Sequence, residues 1–197
     1  MPDQDFPPMP VSPSRRRWLV WAALGLAAGA AAAAESSAPI RSLDVTYDGT
    51  TYVLKATMFA PVPPETALAV LTDFPNMAKW VPNVTDSHVV KPGEKDMTIE
   101  QSGTAKLGSF SFPYTSVREI VMVSPNVIRS TQVKGSMKSQ QSLMTVTPEG
   151  DGSKMQYELD VVPSLITSAV MSPELLKNNV HEEFTAIIGE MVKRGKK

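Results

Sequence analysis

One long amphipathic helix at the C-terminal end of a β-rich chain sets the terms for everything before it. Ser172-Pro173-Glu174 supplies an N-cap, a first-turn proline and an acid suited to the positive end of a helix. Leu176, Val180, Phe184, Ile187, Ile188 and Met191 then recur at helical spacing as a single apolar stripe. Lys193, Arg194, Lys196 and Lys197 stand at the negative end. Upstream, the chain reads mostly as strands. A stripe of this length needs an apolar surface to lie on, and the inner face of a curved sheet offers one. One helix does not fill a wide concave sheet, so a cavity between the two is expected.

Turn signals divide the strand-rich part. Asp48-Gly49 lies between β-rich runs at 43–47 and 50–60 and marks a hairpin. Pro61-Val62-Pro63-Pro64 ends the second run, since proline cannot donate to a ladder. The pattern predicts a short helix over 65–72, with Ala67, Leu68, Val70 and Leu71 on its apolar side, and a second over 77–80 before Pro82. Strands follow over 84–91, 96–107, 114–124, 127–135, 138–147 and 154–162. In the last, Met155, Tyr157, Leu159 and Val161 alternate with Gln156, Glu158 and Asp160, which describes a sheet with one face on a core and one in water. The expected class is α+β: a curved antiparallel sheet, two short helices, and a long C-terminal helix closing a cavity.

The N-terminus has a different character. Ser14-Arg15-Arg16-Arg17 precedes an uncharged apolar run over 18–34 that ends in Ala32-Ala33-Ala34. A basic start, an apolar middle and a small-residue exit are the parts of a secretory signal peptide. Ser14 to Leu19 is similar to the twin-arginine export motif, with Trp18 where Phe is usual and Val20 where Lys is common. Twin-arginine export and the general secretory route both stay open, and an uncleaved membrane anchor over 18–34 is the alternative to cleavage. The expectation is a signal over 1–34 and an exported, periplasmic domain over 35–197.

Composition removes several kinds of chemistry. With 19 Lys+Arg against 20 Asp+Glu, the net charge is −1, so no nucleic-acid partner is expected. The absence of cysteine excludes Cys-ligated zinc, iron–sulfur clusters, thiol nucleophiles and disulfides. His181-Glu182-Glu183-Phe184-Thr185 begins like a zincin H-E-x-x-H, but Thr185 stands where the second histidine is needed. The only other histidine is His88, so neither a metal nor a cofactor is expected. Neither a G-x-S-x-G elbow nor a Gly-rich phosphate loop is present. Acid–base work in a cavity needs an inward carboxylate or similar group. Glu100 and Tyr114 are the candidates, although Glu100 and Glu119 both suit the solvated face of their strands.

Two uncharged stretches carry a further hint. Phe110, Phe112 and Tyr114 recur at period two within 107–117. Leu165, Ile166, Val170 and Met171 fall within 161–173, just before the long helix. Ordinary packing accounts for both, and so does a cavity mouth that gates a ligand or touches a membrane surface. Methionines such as Met58, Met137, Met144 and Met155 suit either an adaptable cavity wall or plain core filling.

From Pro61 to Pro82 the residues resemble the opening of the START-like, or SRPBCC, superfamily. Pro64-Glu65, Ala67-Leu68, Val70-Leu71, Asp73-Phe74 and Trp80-Val81-Pro82 fall where that pattern has its helix, its acidic break and its short helix ending near W-x-P. The coenzyme Q-binding and polyketide cyclase/dehydrase branches are the nearest in pattern. The resemblance covers about residues 53–194 and implies a helix-grip fold, in which the last helix lies across the sheet and closes an apolar cavity. It implies a hydrophobic small molecule or lipid as partner, with transient membrane-surface contact. Quinone, fatty acyl, sterol and hopanoid guests all suit such a cavity. The expected wall or mouth residues are Trp80, Phe110, Phe112, Met137, Met144, Leu165, Phe184, Ile187 and Ile188. Ligand carriage is the leading expectation. A small cyclase or dehydratase of the same fold is the second. An envelope interaction module without ligand is the third, and a collapsed interior under about 300 Å3 would favour it.

Overall fold

The computed structural model describes residues 38–107 and 110–196, apart from the side chains of Leu107 and Phe110. The export signal and anchor expected over 1–34 lie outside the described residues. Eight strands form one antiparallel sheet: β1 Ile40–Tyr47, β2 Tyr52–Ala60, β3 Val84–Lys91, β4 Asp96–Leu107, β5 Phe110–Ser124, β6 Val127–Gly135, β7 Ser139–Glu149 and β8 Gly152–Val162. Their spatial order is β1-β2-β8-β7-β6-β5-β4-β3. From β3 to β8 the sheet is a meander, and the N-terminal hairpin closes on the last strand, with Tyr52 opposite Val161 and Ala60 opposite Ser153. The helices are α1 Pro64–Leu71, a 3-10 helix Phe74–Lys79, α2 Leu165–Ser168 and α3 Pro173–Gly195.

Local chemistry explains the elements. In the β1–β2 turn the Asp48 carboxylate accepts the backbone N–H groups of Thr50 at 2.9 Å and Thr51 at 2.8 Å, while Gly49 takes φ +96°. Those bonds, Thr51 first, hold the Asp48 carboxyl below the usual range. Ser172 caps α3, its hydroxyl accepting the Leu175 N–H at 3.2 Å, and Pro173 occupies the first turn. On β8, Met155, Leu159 and Val161 are buried, Tyr157 is partly so, and Gln156, Glu158 and Asp160 face water, as the alternation predicts. Two elements differ from the sequence reading. β5 begins four residues earlier than the 114–124 strand, so Phe110 and Phe112 belong to it. The second helix is a 3-10 turn that begins at Phe74, where Pro75 suits the first turn.

The core is the layer between the concave face and the helices. Val180, Phe184, Ile187, Ile188 and Met191 of α3 are buried against strand residues such as Leu54, Met58, Ile99, Ile120 and Met155. At its C-terminal end α3 is tied down by charge. Arg194 donates from Nη2 to Asp73 at 2.7 Å, beside the 3-10 helix, and from Nε to Glu190 at 2.9 Å, one turn back. The arrangement is the expected helix-grip fold.

Candidate functional site

The N-terminal half of α3 does not press onto the sheet. Leu176, Asn179, Val180, Glu183 and Phe184 roof a cavity of about 210 Å3. Its floor is the concave face of β4 to β8, and Thr167 and Met171 reach it from the segment between β8 and α3. Tyr52 fixes that segment by donating its hydroxyl proton to the Met171 carbonyl at 2.9 Å.

Part of the lining is apolar: Phe112, Met137, Leu159, Val161 and Phe184. The rest is polar. Arg118 and Ser116 lie on the same face of β5 as Phe112 and Tyr114, because side chains alternate along a strand. Gly103 lies opposite Tyr114, and a Cβ there would overlap the Asn83 carbonyl oxygen and meet the Tyr114 ring at 2.8 Å. Only glycine leaves this tyrosine its place in the wall.

A directed hydrogen-bond chain holds Arg118. The Ser87 hydroxyl donates to the Phe74 carbonyl at 2.6 Å, so it is free to accept the Gln101 amide N–H at 2.9 Å. That turns the Gln101 oxygen toward Arg118, whose Nη2 donates to it. A guanidinium has only donors, so this orientation of Gln101 is the one that satisfies both neighbours. Arg118 Nε and Ser116 Oγ are buried without a hydrogen-bond partner among the described residues. No carboxylate of the described residues stands within ion-pair distance of Arg118.

Glu183 faces the same space from the helix. It is exposed on α3 and borders the cavity, and the surrounding protein raises its carboxyl above the usual range, with the Arg118 cation opposing the shift. Burial also pushes the Tyr114 and Tyr157 hydroxyls up to about 12, with the Glu183 charge adding to it and Arg118 opposing. The Tyr157 ring meets Phe184 edge-on, centroids 5.0 Å apart. One cation, one carboxyl and two phenols thus border a partly open cavity with apolar residues between them. Such a set binds a polar head group or moves a proton.

The expected site residues divide accordingly. Phe112, Met137 and Phe184 line the cavity. Met144, Ile187 and Ile188 pack into the core instead. Ile187 and Ile188 lie too far along α3 to reach the roof, and Met144 joins the closed part of the sheet with Val146 and Met155. Trp80 packs against the core from the end of the 3-10 helix, away from the cavity lining. Leu165 is 91% exposed and Ile166 76%, on the outer surface beside Thr167. The side chain of Phe110 lies outside the described residues. Tyr114 lines the cavity, but Glu100 does not: Ile99 and Gln101 point inward, which turns Glu100 outward to His88, 3.7 Å away. Of the methionines, Met137 and Met171 reach the cavity, while Met58, Met155 and Met191 are core. His181 is exposed on α3. Among the described residues no cluster of His, Asp and Glu is arranged to hold a metal ion, and no helix is long and apolar enough to cross a membrane.

Arg118, Glu183, Gln101 and Tyr157 are candidate site residues that line the cavity and that the sequence reading does not single out for it. Their signals are present in it. Arg118 continues the period-two face begun by Phe112 and Tyr114, and Glu183 interrupts the α3 stripe one residue before Phe184. A charge at a core position marks a site.

The comparisons agree on the kind of molecule. The profile of a family described as polyketide cyclase / dehydrase and lipid transport matches residues 52–194. A protein of Thermus thermophilus superposes with TM-score 0.62 at 16% identity, covering 72% of this chain and 98% of its own. The Zhui aromatase/cyclase of Streptomyces sp. R1128 gives 0.59 at 14%, covering 73% and 95%. A STAR-related lipid transfer protein of Xanthomonas axonopodis gives 0.58 at 13%, covering 78% and 98%. At these identities the likeness is one of fold. No curated protein matches the sequence.

Proposed function

The chain belongs to the polyketide cyclase/dehydrase and lipid transport family, and from that premise we propose that it binds and carries a small hydrophobic molecule in the cavity under α3. The observation that carries this reading is the enclosure itself, roofed by α3 and walled by Phe112, Met137, Leu159, Val161 and Phe184. Burial of apolar guest surface supplies the driving force, about 25 cal/mol per Å2 before ordering costs. The cavity measures about 210 Å3 and is partly open to solvent, so its size does not choose among quinone, fatty acyl, sterol and hopanoid guests. It is also below the ~300 Å3 common for ligand sites. Its volume meets that part of the expectation for an interaction module, whereas its polar lining does not suit a dry interior. Native mass spectrometry of protein purified from its own cells tests the proposal. A co-purifying small molecule, lost from Phe184→Asp, is the expected result. Protein that carries no guest under any extraction condition would sink it.

Glu183, Tyr114 and Tyr157 support a second reading, a cyclase or dehydratase that uses the inward carboxyl as acid or base. A captured guest that changes mass on incubation with the wild type, and not with Glu183→Gln, would favour catalysis over carriage.

The remaining parts of the reading concern place. Residues 1–34 direct export to the periplasm, and exposed Leu165 and Ile166 touch a membrane surface when guest is exchanged. Cell fractionation of the wild type and of Arg15→Lys/Arg16→Lys tests export. Wild-type protein found only in the cytoplasm would overturn it, and retention of the double variant alone would identify the twin-arginine route.

A further inference from the structure

Carriage of a hydrophobic guest leaves the polar end of the cavity without a role, and the role inferred for that end rests on the carriage reading. A guanidinium taken out of water is costly unless a charge or a full set of acceptors replaces the lost hydration. Arg118 has one acceptor, Gln101 Oε1, and that is held in place from behind by Ser87 and Phe74. Its Nε is buried and unpartnered, and so is the Ser116 hydroxyl two residues away on the same strand face. Both residues line the cavity. A guanidinium presents a planar fork of donors that suits the two oxygens of a carboxylate.

We propose that the cavity takes an amphiphile whose carboxylate pairs with the cavity-lining guanidinium of Arg118 while its apolar body lies along Phe112, Leu159 and Phe184. A cationic head is repelled, and a neutral one leaves Arg118 uncompensated. The cavity measures about 210 Å3, so probes with a short body suit it.

Three probes with the same eight-carbon body separate the head group from the body: octanoate, 1-octanol and octylamine. Calorimetric titration of the full-length protein is expected to show octanoate binding at least about tenfold tighter than the other two. Arg118→Met should lower octanoate affinity by about tenfold or more and leave 1-octanol little changed, and Arg118→Lys should recover part of the loss. 1-Octanol binding as tightly as octanoate would overturn the head-group assignment and leave hydrophobic carriage standing. Octanoate binding unaltered in folded Arg118→Met would overturn it too. If that variant fails to fold by circular dichroism, Arg118→Lys and the wild-type probe series decide between the same outcomes. No binding of any probe would remove both readings for a guest of this size.

Discussion

At the scale of single residues, Glu183 is the most informative side chain in the molecule. Ionising it inside the cavity is unfavourable, so its folded pKa lies above the unfolded one, near 4.5. The sign follows from linkage. Below the unfolded value both states hold the proton and nothing is lost; as pH rises above it the unfolded state ionises first and stability falls. Glu183→Gln should therefore melt higher than the wild type at pH 7.5, with the gap closing toward pH 4 in thermal scans. An equal gap at both pH values would mean that the carboxyl is not what the cavity strains against. Gly103→Ala should act through space: the added methyl displaces Asn83 or Tyr114, lowering the melting temperature and altering the cavity wall, which Tyr fluorescence would report.

Among elements, α3 divides along its length. Leu176 and Glu183 roof the cavity, whereas Ile187, Ile188 and Met191 serve the core. Ile187→Ala should cost about 2–5 kcal/mol in denaturant unfolding and leave guest affinity alone, and Leu176→Ala should do the reverse. Arg194→Met should cost about 1 kcal/mol by releasing Asp73 and Glu190. The Arg194 hydrogen bond, helped by Lys193, holds Glu190 below its usual range, so that contribution is present above pH 4.5 and fades as pH falls through the lowered folded value. This division also explains what is legible in the sequence. The α3 stripe, the Asp48-Gly49 turn and the β8 alternation are local patterns, and the structure follows each of them. Which stripe residues face a cavity depends on how far the sheet curves away beneath them, a property of the whole layer. Hence the stripe alone does not separate Phe184, which borders the cavity, from Ile187 and Ile188, which pack into the core. Arg118 escapes notice on a strand whose aromatic half dominates the pattern.

For the whole molecule, the exposed pair Leu165 and Ile166 offers a test that is independent of the cavity. The double change Leu165→Ser/Ile166→Ser should leave the melting temperature unchanged, since neither side chain supports the core. It should weaken co-sedimentation with lipid vesicles and slow the transfer of a fluorescent guest to them. Vesicle binding equal to the wild type would detach this surface from membrane contact. The sheet order carries a consequence of another kind, in time. Tyr52 finds its neighbour at Val161, so the first hairpin waits with one open edge while all the intervening strands are made. The roof over the cavity comes later still, because α3 follows the last strand. A nascent chain therefore has no place for a guest until α3 has been made, and the compartment in which folding ends decides which molecules it first meets.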